Sequence, residues 1–294
     1  MTINRPPAIV INNATLRDVE QMVTSPFSRR NRIDLARDIE AVGAGDIELP
    51  MPVSGGSAIE ELKALAAMPR RARPILWGPA SRHIVDAAVR AGLAAVYLSA
   101  KLSSKHASRP LGLDRLARVI AYAREQGLRV ALCGDDASRA DFDLIRRVLA
   151  LAETAGAFRF RVTDTAGVLH PIRTHALFRQ LCAETDLELE FRGHDNFGLA
   201  TANTVAAVEG GATHISVSMV RRAERTRVAQ LEDAVGAIRM STLHPVDVDL
   251  ALVPAVLSRI AALPGMPAAP SRAGASWMPP RGSARPAQAS VEGR

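Results

Sequence analysis

"LRVALCGDDASRADFDLIRRVLALAETAGAFRFRVTD", Leu128 to Asp164, holds one full cycle of strand, helix and strand. "LRVALC" (128–133) and "FRFRVT" (158–163) are short apolar runs of the length that a buried strand needs. Between them "ADFDLIRRVLALAETAG" carries apolar residues three and four apart and ends on Gly156, the residue that favours the backbone turn just past a helix. The second strand then starts within a few residues.

The same cycle repeats on both sides. Upstream strand candidates are "AIVIN" (8–12), "DIELP" (46–50), "PILWG" (74–78) and "AAVYLS" (94–99); downstream ones are "LELEFR" (187–192) and "HISVSM" (214–219). Helical patterns separate them: "RRNRIDLARDIEAVG", "AIEELKALAAM", "SRHIVDAAVRAG", "GLDRLARVIAYAREQG", "IRTHALFRQLCAET", "LATANTVAAVEGG" and, after the last strand, "VAQLEDAVGAI". Eight strands alternating with eight helices in 294 residues predict an α/β fold, a (β/α)8 TIM barrel, as a single domain over residues 1–263. An open doubly wound sheet also alternates, but eight units in a chain of this size favour closure. Residues 264–294, rich in Pro, Ala, Gly, Ser and Arg and without period, read as a disordered C-terminal tail.

Composition narrows the function classes. The start "MTINRPPAIV" lacks the apolar run of a signal peptide, and no stretch approaches the length of a membrane span, so a cytoplasmic protein is expected. Cys133 and Cys182 have no CxxC spacing and read as buried free thiols. The net charge of +7 is spread along helices and partly carried by the tail; with 4% aromatics there is no stacking platform for nucleic acid.

A barrel works at the C-terminal ends of its strands. Reading past each run gives Arg17, Asp18, Glu20 and Gln21 after the first, Glu48 after the second, and Asp135, Asp136 and Arg139 after the fifth. Asp164 and Thr165 follow the sixth, and His194, Asp195 and Asn196 the seventh. Carboxylates, one histidine and several arginines suit a divalent cation and an acidic small molecule, although loops at any barrel rim are polar. His170, His175 and His214 lack partners at ligand spacing and read as structural.

Five separated segments, "INNATLRDVEQ", "CGDDASRAD", "RVTDTAGVLHP", "LELEFRGHDNFGLATANTVAAVEGGATHISVS" and "AERTRVAQLEDAV", resemble the homocitrate synthase and isopropylmalate synthase family in order and spacing. These are metal-dependent, Claisen-condensing TIM barrels related to hydroxymethylglutaryl-CoA lyase; the nitrogen-fixation type of homocitrate synthase is the most similar. The resemblance covers roughly residues 8–240. It implies an acyltransferase that condenses acetyl-CoA, the co-substrate, with a 2-oxo acid such as 2-oxoglutarate. A divalent metal, Mg, Mn or Zn, would polarise the ketone. By position, Arg17 and Glu20 carry over as catalytic, Gln21, Glu48, Arg139 and Thr165 as substrate-binding, and Asp18 and His194 as metal ligands.

The departures fall on that chemistry. The family's His-x-His reads Arg192-Gly193-His194, and its "GERAGNA" loop reads "AERTRVA", with Arg227 in place of a Gly and Val228 in place of an Asn that helps hold the metal. Arg221 and Ala223 replace further glycines; Asn13, Ala14 and Val19 alter the first motif; and "HESGIH" has no counterpart. A permanent cation at 192 beside a divalent ion is strongly repulsive, so a salt bridge from Arg192 to Asp18 across the inherited site is expected. Three readings follow. One is a homocitrate-synthase-like acyltransferase with altered activity. Another is a catalytically impaired paralogue, binding a 2-oxo acid or joining a full-length synthase in a homo- or hetero-oligomer. The third is a CoA-independent aldolase or lyase barrel.

Overall fold

Eight parallel strands close on themselves in sequence order in the computed structural model, which describes residues 6–22, 28–51, 57–68, 71–103, 112–220 and 228–266. The strands are β1 (Val10–Asn13), β2 (Asp46–Leu49), β3 (Arg73–Pro79), β4 (Ala95–Lys101), β5 (Arg129–Asp135), β6 (Arg159–Asp164), β7 (Glu188–Gly193) and β8 (His214–Val217). Closure is made by β1 lying parallel to β8, with Val10 opposite His214 and Asn13 opposite Val217. The expected TIM barrel is therefore the fold, with each strand within two residues of its predicted start.

Eight helices match the predicted patterns: α2 (Arg29–Val42), α3 (Ser57–Ala66), α4 (Arg82–Arg90), α5 (Leu113–Glu125), α6 (Phe142–Thr154), α7 (Pro171–Glu184), α8 (Ala200–Gly210) and α9 (Leu231–Ser241). Two more were not anticipated, α1 (Thr15–Met22) and α10 (Val253–Ala261). The pattern for α9 starts at Val228, but the helix starts at Leu231, because Val228 and Gln230 bridge to His194 and Ser218 instead. The glycine signal holds at Gly43, which ends α2 at φ 111°; a Cβ there would also lie 2.4 Å from the Asp247 carbonyl oxygen, where the chain passes beneath the barrel.

The alternating pleat divides each strand into two chemistries. Outward residues such as Ile47, Leu98, Leu132, Phe160, Phe191 and Ile215 are buried against the helices in one large apolar core. The inward set is different. Ile75, Ala95, Tyr97, Ala131 and Cys133 form only a small inner cluster, with Trp77 and Phe158 packed on it. The rest of the interior is ionic: Asp46, Glu48, Arg159, Arg161 and Glu190 are at most 1% exposed. Barrel interiors are usually filled by branched aliphatic residues, so this one depends on mutual charge satisfaction.

Cys133 is buried as expected, and burial pushes its thiol well above the usual range. Cys182 corrects the expectation: it is exposed on α7, where its sulfur lies 3.7 Å from the Gly210 carbonyl oxygen at the α7–α8 crossing. No helix among the described residues is long and apolar enough to cross a membrane. Residues 267–294, most of the predicted tail, lie outside the described residues, as do Arg221, Ala223 and Arg227.

Candidate active site

The helix α1 delivers the first two site residues. Asn13 caps it by accepting a hydrogen bond from the Thr15 amide at 2.9 Å, and the Thr15 hydroxyl accepts one from the Met219 amide at 2.9 Å, which ties the helix start to the end of β8. Ala14 and Val19, both fully buried, take up space in the core. Arg17 and Asp18 are thereby held above the mouth.

Arg17 donates through Nη1 to the Glu48 carboxylate, lies 3.4 Å from Asp18 through Nη2, and has its guanidinium 4.8 Å from the centre of the Trp77 ring. Glu48 is not on the rim as the sequence implies. It sits within β2, fully buried, and its other oxygen meets Arg161 Nη2 at 2.8 Å and accepts from Asn12 at 3.1 Å. Burial pushes the Glu48 carboxyl up, but Arg161, Arg17 and Arg192 outweigh it and hold the group well below the usual carboxylate range.

Arg192 is 5% exposed, points into the same space, and forms the expected bridge: its Nη2 lies 3.5 Å from Asp18 Oδ1, while Nη1 donates to Ser216 at 2.8 Å. Burial and the neighbouring Arg17 pull its pKa down to about 10, with Asp18 and Glu48 opposing. Three guanidiniums, those of Arg17, Arg161 and Arg192, thus draw on the carboxylates of Asp18 and Glu48. His194 stands two residues along the same face. Its Nδ1 lies 3.0 Å from the Asp164 carbonyl oxygen, which can only accept, so Nδ1 carries the proton and Nε2 keeps its lone pair. Burial and then Arg192 push His194 down to about 4, which keeps the ring neutral at physiological pH. Val228 is buried and pairs as a β-bridge with His194, filling with methyl groups the place beside it.

The other predicted residues are engaged elsewhere. Glu20, a catalytic group by the resemblance, is engaged by α2: its carboxylate accepts from Arg32 Nε at 2.7 Å, and Arg32 reaches Glu61 of α3 at 2.8 Å, so the pair ties three helices together. Gln21 is exposed on α1. Arg139 forks onto Asp136 at 2.8 and 2.6 Å, and Thr165 accepts from the Asp136 amide at 2.9 Å, so both organise the β5 and β6 loops. Asp164 accepts from Ser138 and from the Val168 and Leu169 amides, Asp195 from the Ala200 amide, and Asn196 donates to Ala166. These rim residues staple loops. Gly167, at φ 62°, completes the staple, since a Cβ there would lie 2.7 Å from the His194 carbonyl oxygen.

What the sequence reading missed is the interior beneath the mouth. Glu190 accepts from Arg161 at 2.8 Å, from Asn12 at 3.0 Å and from the Tyr97 hydroxyl. Arg159 reaches Asp46 at 2.6 Å and Glu188 at 2.8 Å. The signal was present as period-two charge: Asp46 and Glu48, Arg159 and Arg161, Glu188, Glu190, Arg192 and His194.

The residues at the family's metal position do not fit a divalent cation. The Asp18 oxygen that would bind it faces two guanidiniums, and Arg192 offers a charge where a lone pair is needed. Among the described residues no group of three or more His, Cys, Asp or Glu side chains could hold a metal ion.

The homocitrate synthase 1 of Nostoc is 31% identical over 237 residues, covering 79% of this chain and 63% of that protein. The homocitrate synthase of Frankia alni is 34% identical over 248 residues, 82% of this chain and 71% of that one, and a 2-isopropylmalate synthase of Caldanaerobacter subterraneus is 29% identical over 279. The chain therefore spans roughly two thirds of the length of these relatives. Among solved structures, the hydroxymethylglutaryl-CoA lyase of Pseudomonas aeruginosa superposes with a TM-score of 0.75 at 22% identity, covering 88% of this chain and 94% of the lyase. A family model described as HMGL-like matches residues 8–260, and the chain belongs to that family.

Proposed function

We propose that this chain binds a small 2-oxo acid at the mouth of its barrel without a divalent metal, as a paralogue of the synthases in which acyl transfer has been given up. The observation that carries this reading is Arg192, buried against Asp18 and Ser216 and held down to about 10 by burial and Arg17. Three guanidiniums there share the carboxylates of Asp18 and Glu48, so the cluster as a whole is short of negative charge. A 2-oxo acid supplies it: its carboxylate suits the planar guanidinium fork, and its ketone oxygen suits the Ser216 hydroxyl or Arg17. Asp18, held at 3.5 Å, is the group such a ligand would displace. Glu48, kept ionised by Arg161 and Arg17, would fix Arg17 in place.

The second reading is condensation of acetyl-CoA with a 2-oxo acid. It is favoured by identities of 31% and 34% to homocitrate synthases and by the convergence of Arg17 and Asp18 on one mouth with His194. The lyase and aldolase reading rests on fold likeness alone. Calorimetric titration of metal-stripped protein with 2-oxoglutarate, then with Mn²⁺ in its presence and absence, separates the two main readings. One-to-one 2-oxoglutarate binding with no Mn²⁺ heat supports the first. Tight Mn²⁺ binding strengthened by the oxo acid moves the assignment to the acyltransferase, to be followed by thiol release from acetyl-CoA. No oxo-acid heat under any condition overturns both.

A further inference from the structure

Phe158, the residue before β6, lies under the barrel against the inner cluster. Three guanidiniums surround its ring: Arg129 at 4.0 Å, Arg73 at 5.0 Å and Arg159 at 5.1 Å from the centroid. Stacking accounts for their closeness to the ring, but not for how three like charges tolerate one another at the entrance to a buried interior. Two of them are compensated. Arg73 meets Asp46 through Nε at 2.7 Å, and Arg159 meets Asp46 at 2.6 Å and Glu188 at 2.8 Å.

Arg129 has neither an ion pair nor a side-chain hydrogen bond among the described residues, and Arg73 uses only Nε in this way. Partial desolvation, then the charge of Arg73, holds Arg129 below its ordinary value, with Glu188 and Asp46 opposing. His214, pushed down to about 4 by burial and by Arg159, contributes no further cation at neutral pH. The floor is open: Arg129 is exposed, the Glu188 side chain is 39% exposed and that of Arg73 24%.

We infer that this N-terminal floor is a second anion site, separate from the mouth, that takes a hydrogen phosphate ion on Arg129 and Arg73 with its hydroxyl donated to Glu188. Cations alone would accept any oxyanion; the carboxylate among them selects one that carries a proton. Sulfate, which has none at neutral pH, meets Glu188 as a like charge. The floor is joined to the mouth by a continuous run of buried pairs, Arg159 to Glu190, Glu190 to Arg161, Arg161 to Glu48 and Glu48 to Arg17.

The test is titration of the full chain with inorganic phosphate at pH 7.5, by calorimetry and by the shift in Tm. Saturable one-site binding is expected, with Arg129→Ala weakening it at least tenfold, Arg129→Lys weakening it less, and sulfate binding at least tenfold more weakly than phosphate. Arg192→Gln, altered only at the mouth, should leave the phosphate Kd within twofold. Because Arg129 is exposed, the unliganded Tm of its variants should stay near that of the parent and verify folding. No saturable phosphate binding, an unchanged Kd in Arg129→Ala, or equal binding of sulfate would each overturn the assignment.

Discussion

Replacing Arg192 by His is the sharpest test of the proposal that the mouth excludes a divalent ion. In the parent, Arg192 Nη2 stands 3.5 Å from the Asp18 oxygen that a metal would use. A metal bound to that oxygen at a little over 2 Å would lie roughly 5 Å from the guanidinium charge. At an effective dielectric of about 20, a dication and a unit cation at that distance repel by about 7 kcal/mol. That corresponds to about five powers of ten in Kd. Retraction of the side chain towards Ser216, to which it already donates at 2.8 Å, would recover part of this. Arg192→His removes the repulsion and adds an imidazole two residues from His194, on the same face of β7.

Calorimetry with Mn²⁺ on metal-stripped protein should therefore show a gain of at least about 100-fold over the parent. Arg192→Gln, which removes the charge but adds no ligand of comparable strength, should fall between the two. Adding Val228→Asn, which exchanges buried methyl groups beside His194 for an amide, should extend the gain. Parent protein that binds Mn²⁺ as tightly as Arg192→His would refute the electrostatic argument. A gain in Arg192→Gln equal to that in Arg192→His would refute the added ligand while leaving the repulsion standing.

Two further outcomes follow from groups that the fold uses in unexpected ways. Glu20→Gln weakens a charged hydrogen bond among α1, α2 and α3, so it should lower stability by about 1–3 kcal/mol in urea denaturation while leaving the 2-oxoglutarate Kd unchanged. A loss of affinity at unchanged stability would instead place Glu20 at the site. His194 and His214, each pushed from 6.5 to about 4 chiefly by burial, are protonated in the unfolded chain before the folded one. Their contribution is complete above pH 6.5, is lost as the pH falls, and is gone below about pH 4. Within that window His214→Gln should flatten the dependence of stability on pH by up to about 1.4 kcal/mol per pH unit, and curves parallel to the parent's would refute the assignment.

The parts of this molecule that were legible in its sequence are those set by near neighbours. Gly43 and Gly211 mark the ends of α2 and α8 because a left-handed residue is needed there whatever lies beyond. The meeting of Arg192 with the inherited site was legible because strand parity alone places residues 192 and 194 on one face. By contrast, α1 depends on a bond from Met219 to Thr15 across 204 residues, and the engagement of Glu20 by Arg32 depends on how α1 packs on α2. No local pattern contains either. The interior lies between these cases. Its charges alternate plainly along β2, β6 and β7, but which arginine meets which carboxylate is set by register across strands, such as Arg161 opposite Glu190.

That interior changes how Arg192 should be understood. Taken alone, a guanidinium in place of a ligand is damage to a metal site. In the barrel it extends a column that already runs Glu188, Glu190, Arg192 up one strand, facing Arg159 and Arg161 on the next. Asp18 and Ser216 meet its two terminal nitrogens, and the carboxylate of Glu48 lies close enough to help support its charge. A buried cation left unpaired would cost several kcal/mol, and Arg192 is paired. On the proposed reading, that pairing puts the mouth on the same ionic logic as the rest of the barrel, with fixed guanidinium charge where the resemblance implies a metal.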